Sequence, residues 1–350
     1  LRFVDLTKVF SKIVDIITGR PYLQKKAENV KLWRRGENRI ERENCSDKTK
    51  LMKDISYYES QPKADLHAHL NLSMRYDRYK KWANFEIPNF PRKLNGLGEM
   101  HEIIGEYTRP RCMTANDVKA LFAMSFEEAR LDNIVKMEAS IDIGFIKQFE
   151  YNLDDFLQYI SDLVKEQSAF IEFAPELGIP KTAEIEFLHK WCQPMLESGV
   201  FKSLDIYGPE IFETLDDLSF IFDLAEKYGV KKKGHVGEFS DAQSVIDVVK
   251  MYRLDEVQHG IGAASSKKAL DFLAKNKIRC NVCPQSNLML SAVKTLKTHP
   301  IKKMLQAGVP IALGTDDLFF FGRGIGQQIY DLIQAGTITE DEGESLLAVR

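Results

Sequence analysis

His67-Ala68-His69 closes a stretch, Lys63 to His69, that reads as a β-strand. Side chains on a strand alternate between faces, so these two imidazoles project into one space, as neighbouring metal ligands must. Taken alone, a His-x-His pair is more often just two polar residues at a strand end. Here further groups of the same kind follow later apolar runs: His235 with Glu238, His259, and Asp316 with Asp317. Three neutral imidazoles and one carboxylate suit a divalent ion such as zinc and leave room for a water, which such an ion activates at neutral pH. Glu238 lies three residues beyond His235, in the following loop, and can protonate a substrate while the water attacks. The competing role for Glu238 is an acid stabilised by a helix N-terminus.

Elements must exist to bring these groups together. Short apolar runs with turn residues nearby predict strands at 134–143, 169–174, 201–207, 230–236, 256–260, 278–283 and 309–315. Helical spacing lies between them, clearest at Leu153, Phe156, Leu157, Ile160, Leu163 and Val164. A second such run, Ile185 to Leu196, ends at Gly199, a residue favoured at helix C-termini. With the strand from Lys63, eight strand-plus-connection units predict a closed parallel (β/α)8 TIM barrel over 63–350. Chemistry in that fold sits at the C-terminal strand ends. Four of the seven histidines fall there, with Gly208 at the end of the fourth strand.

Residues 1–62 are expected to form an N-terminal helical extension. Apolar groups from Phe3 to Ile17 suit an amphipathic helix, and the charged stretch after Pro21 offers a solvated face or a contact for a homo-oligomer. After the first strand comes a helical or irregular insertion with Pro88, Pro91, Gly96 and Gly98, placed to cover the site as a lid or pocket wall. Thr114 with Asp117 marks a helix start beyond it.

Composition narrows the function classes. The 350 residues are 44% hydrophobic and 28% charged, with net charge −3, which argues for a soluble protein and against a nucleic-acid footprint. No apolar run reaches the length of a membrane span. Five scattered cysteines fit a reducing compartment, so a cytoplasmic location is expected. Cys280 and Cys283 are read as packing residues, because positions three apart on a strand face opposite sides. His101, His189 and His299 are read as surface or packing residues, with His101 nearest the insertion. Gly322 to Gly326 lacks the strand and helix context of a dinucleotide loop.

The segments His67-Ala68-His69, His235-Val236-Gly237-Glu238, Gln258-His259-Gly260, Cys283-Pro284-Gln285-Ser286-Asn287, Gly314-Thr315-Asp316-Asp317 and Phe321-Gly322 resemble, in order, the motif set of the adenosine deaminase family. The resemblance runs from about Lys63 to Gly322 and implies one zinc ion per chain, held by His67, His69, His235 and Asp316. It further implies that Glu238 protonates purine N1, and that His259 orients the water and takes its proton with help from Asp316. Asp317 would meet N7 and the Gly208 backbone N3, so that adenosine becomes inosine plus ammonia. Two positions depart from the family. Neutral Asn71 stands where an acid usually meets the ribose, and Leu318 replaces a proline. Asn71, with Arg323 as a cationic partner, raises a 5′-phosphorylated adenine nucleotide as an alternative substrate. Two other readings are a catalytically silent nucleoside-binding protein and a binuclear metal hydrolase. The latter needs a lysine at the end of strand four, and Lys202 sits at its start.

Overall fold

Alternating polar and apolar side chains form eight parallel strands, with helices or helix-bearing connections between them. A computed structural model describes residues 53–90, 93–210 and 218–347. The strands are β1 Lys63–His69, β2 Ile134–Asp142, β3 Glu172–Pro180, β4 Ser203–Tyr207, β5 Lys231–Val236, β6 Glu256–His259, β7 Arg279–Val282 and β8 Ile311–Leu313. They pair in chain order, each parallel to the next. The ring is drawn together by Asp316, which follows β8: its amide donates to His67 O at 2.9 Å and its carbonyl accepts from His69 N at 3.1 Å. The fold is the expected (β/α)8 barrel.

Of the extension expected at 1–62, only 53–62 lies within the described residues, so the N-terminal helix and the oligomer contact assigned there fall outside them. The helix Ile55–Ser60 sits against the first strand, because Lys63 Nζ donates to the carbonyls of Tyr58, Glu59 and Gln61 at 3.2, 2.8 and 2.8 Å. The insertion is largely helical, with Tyr76–Ala83, Gly96–Ile103 and a wider π-type turn at Ile104–Thr108. The next helix, Ala115–Leu131, starts with the expected cap: Asp117 N donates to Thr114 Oγ1 at 3.2 Å and Thr114 N to Asp117 Oδ2 at 2.8 Å.

The barrel interior is polar, which corrects one strand. A strand was expected at 169–174, but β3 is Glu172–Pro180. Glu176, Gly178 and Pro180 interrupt the apolar run, and Glu176 is tolerated because Ser203 Oγ donates to it at 2.8 Å and Lys233 pairs with it. Lys233 is fully buried and also pairs with Glu138, while its Nζ lies 3.5 Å from Glu256 Oε2. Arg279 Nη2 donates to both Glu256 oxygens at 2.8 Å. Removing one partner from such a buried set typically costs about 3–5 kcal/mol. Two residues above Lys233 on the same strand face stands His235. This ionic layer is therefore the floor beneath the chemistry.

Candidate active site

Asp316 adopts a left-handed backbone, φ 58°, and His259 another, φ 63°. Such conformations are uncommon for residues other than glycine and mark places where the surroundings dictate geometry. The turn at Asp316 brings its carboxylate back over β1, with Oδ1 3.7 Å from His67 Nε2 and 3.5 Å from His69 Nε2. His235 arrives from β5, its ring centroid 4.7 Å from that of His67 and 5.7 Å from that of His69. One ligand atom from each of His67, His69 and His235 lies within 4.8 Å of the others.

These residues fit a metal ion. Neighbouring ligand atoms of a tetrahedral ion with bonds near 2.1 Å stand about 3.4 Å apart, close to the Asp316 separations. Both ring nitrogens of His67 are buried with no hydrogen-bond partner, an arrangement that burial alone makes costly. Burial, reinforced by His235, His259 and His69, pushes His67 well below the usual histidine pKa, so it is a neutral donor. Burial would also lower His69, but Asp317 and Asp316 outweigh it and raise its pKa. Asp205 on β4 lies behind His235, Oδ1 to Nε2 3.4 Å, and His235 holds its carboxyl low against the effect of burial.

Glu238 stands on a tightly held loop. The carboxylate of Glu210 accepts from the amides of Gly237, Glu238 and Ser240 at 3.0, 2.7 and 2.9 Å. Gly237 has φ +76°, and a Cβ there would lie 2.5 Å from Val245 Cγ2, so the turn requires glycine. Burial, then Asp316 and Glu210, raises the Glu238 pKa well above the usual carboxylate range. His259 Nδ1 is 3.7 Å from Glu238 Oε1, and its Nε2 is 3.9 Å from Asp316 Oδ2. Burial lowers His259 to about 4, and raises Asp317 to about 7. Burial thus favours the acid form of Glu238 and the neutral form of His259.

His69, His235, Glu238, His259, Asp316 and Asp317 open onto one cavity of about 610 Å³, while His67 is fully buried and does not line it. Asn71, Gly208, His235, Glu238, His259, Asp316 and Asp317 line it, so most of the expected site residues converge there. Its outer wall is apolar, with Leu97, Met100 and Ile104 from the insertion, which therefore forms the expected pocket wall. Arg323 lies apart from the site. The turn at Gly322, φ 65°, leads into the helix Ile325–Gln334, and Arg323 Nε pairs with Asp331 at 3.1 Å instead of lining the cavity. His101, read as surface or packing, borders the cavity, while His189 stacks on Phe220 at 4.1 Å as a packing residue. Lys202 Nζ donates to Gly199 O at 2.8 Å, before β4 begins, and supplies no bridge for a second metal. Sequence reasoning missed Asp205 and Glu210. Both lie near the end of β4, and the acid in Gly208-Pro209-Glu210 was the available signal.

The adenosine deaminase family model matches residues 62–343. A Treponema pallidum protein described as "Putative adenosine/adenine deaminase" is 59% identical over 299 residues, covering 85% of this chain and all of that one. The barrel is similar to Arabidopsis ADAL complexed with IMP, with TM-score 0.64 and 16% identity, covering 83% of this chain and 91% of that one. It is also similar to a cog1816 amidohydrolase from Burkhoderia ambifaria with bound Zn, with TM-score 0.61 and 16% identity, covering 85% and 92%. Among the described residues, no helix is long and apolar enough to cross a membrane. The chain belongs to the adenosine deaminase family, and it is a purine deaminase.

Proposed function

We propose that this protein binds one zinc ion through His67, His69, His235 and Asp316 and hydrolytically deaminates adenosine to inosine and ammonia. The observation that carries the reading is the convergence of the His67, His69 and His235 imidazoles and the Asp316 carboxylate, beside a buried Glu238 whose pKa is raised. The donor set is nitrogen-rich with one carboxylate, which suits zinc better than magnesium or calcium. When bound, zinc supplies the Lewis acidity that lets water act as a nucleophile at neutral pH.

The chain's own residues carry the remaining work. Glu238 delivers its proton to N1 of the adenine ring and so makes C6 electrophilic. His259 and Asp316 face the same space and orient the attacking water, and the Asp316 carboxylate receives its proton. Asp317, raised to about 7 by burial, shares a hydrogen bond with N7. The Gly208 amide, in a backbone with φ 105°, meets N3. Apolar side chains of the insertion exclude bulk water from the ring.

A 5′-phosphorylated adenine nucleotide is the second reading, favoured by Arg109 and Lys147 in the cavity lining and by neutral Asn71. It no longer draws on Arg323. The test is kcat/KM for adenosine and for AMP, in wild type and in Asn71→Asp. A preference for adenosine, with no selective penalty on AMP in the variant, supports the nucleoside. A preference for AMP that Asn71→Asp removes would overturn it in favour of the nucleotide.

A further inference from the structure

Behind the acid and the imidazole lies a second, fully buried layer. Asn287 is completely enclosed, and its Nδ2 lies 3.3 Å from Glu238 Oε1 and 3.2 Å from His259 Nδ1. Its Oδ1 faces His299 Nε2 at 3.2 Å. On the far side of that ring, His299 Nδ1 accepts from the amide of Ile301 at 3.2 Å, at the start of the helix Ile301–Gln306.

These contacts allow one arrangement of hydrogens. A backbone amide can only donate, so His299 Nδ1 must carry the lone pair. A neutral imidazole then has its proton on Nε2, and burial keeps His299 neutral, with a pKa lowered to about 3. Nε2–H must donate to Asn287 Oδ1, which turns the Asn287 amide group towards the site. Its two hydrogens then serve Glu238 Oε1 and His259 Nδ1, one each. Rotating the Asn287 amide by half a turn would leave Nδ2 facing a second N–H and is excluded by the same reasoning.

We infer that His299 is a positioning residue, acting through Asn287 to hold Glu238 and His259 in one register and to fix His259 with its proton on Nε2. Glu238 Oε1 is thereby occupied as an acceptor, leaving Oε2 to carry the proton that reaches the purine. Of the two groups facing the water, His259 is then the hydrogen-bond donor and Asp316 the acceptor. His299 touches neither substrate nor metal ligand in this scheme. The inference rests on the proposed deaminase reading.

Two substitutions separate the relay from simple helix support. His299→Gln places an amide N–H where Nε2 was, keeping the donor to Asn287. His299→Asn keeps an acceptor near Nδ1 for Ile301 but loses the relay. Both are compared with wild type, zinc-loaded, for kcat, KM, metal content and Tm, with adenosine as substrate. Expected is kcat near wild type in His299→Gln and a kcat lower by roughly 10–100-fold in His299→Asn, the usual cost of losing an outer-shell partner, with KM and zinc content unchanged. His299→Asn at least as active as His299→Gln, or losses that follow Tm or metal content, would overturn it. In unaltered holoenzyme, nitrogen-15 NMR should find both His299 and His259 protonated on Nε2 alone. A proton on Nδ1 of either would overturn it independently of how the variants fold. Wild type inactive on adenosine would instead sink the deaminase reading itself.

Discussion

Ser286 Oγ donates to Asp316 Oδ2 at 2.7 Å, so the other carboxylate oxygen, Oδ1, is the one turned toward His67 and His69. The contact joins the segment after β7 to the segment after β8, and it fixes which oxygen a metal would meet. Outer-shell partners of this kind are typically worth 10–100-fold in metal affinity or activity. Ser286→Ala should therefore weaken zinc binding by about that factor, read by competition with a chelator. Affinity equal to wild type would show that Asp316 needs no such restraint.

Metal content divides the histidines. His235→Ala removes one of three converging imidazoles and should strip zinc and abolish turnover, while the ionic floor at Lys233 keeps the barrel folded. His259→Ala should keep its zinc and lose kcat. Elemental analysis of both purified variants reads the difference. Loss of metal from His259→Ala as complete as from His235→Ala would contradict the ligand assignment.

Activity should depend on pH through Glu238. Burial, with Asp316 and Glu210 nearby, raises its pKa well above the ordinary value and so favours the acid form. The working form is protonated, so kcat/KM should fall as pH rises through that pKa. Glu238→Gln should lower kcat by about 10²–10⁴-fold and remove the alkaline decline. An alkaline limb unchanged in Glu238→Gln would assign it to another group.

Stability should respond to acid through Glu256. Burial opposes ionisation there, but Lys233 and Arg279, with Lys231, bring its pKa down from 4.5 to about 2. A depressed folded pKa contributes stability above the unfolded pKa, and that stability is lost as pH falls from about 4.5 towards 2. The contribution near neutral pH is about 3 kcal/mol, from roughly 1.4 kcal/mol per pKa unit. Urea unfolding of Glu256→Gln against wild type should show this deficit at pH 7 and a shrinking one in acid. A deficit independent of pH would mean the residue acts by packing.

Much of this site was legible because strand ends announce themselves. His67, His69, His235 and His259 lie at the C-terminal ends of strands and Asp316 just after one, and a parallel barrel gathers such ends at one rim. The interior was less legible. Lys233, Glu138, Glu176 and Glu256 look like surface charges in sequence and are reconciled only by one another across strands. That is why β3 was placed too early. Arg323 failed for a different reason: its nearness in sequence to the Asp pair says nothing about direction after the turn at Gly322, and Asp331 on the outer helix claims it. His299 looked like a packing residue because its partner, Asn287, is twelve positions away and meets it only in the fold.

The most direct test of the central claim is ammonia release from adenosine by zinc-loaded wild type, measured beside Glu238→Gln at equal metal content. Wild type should yield ammonia and inosine in equal amounts, and Glu238→Gln should be slower by about 10²-fold or more with its zinc in place. No ammonia from adenosine, adenine or AMP with the zinc-replete protein, or equal rates from the two proteins, would contradict it.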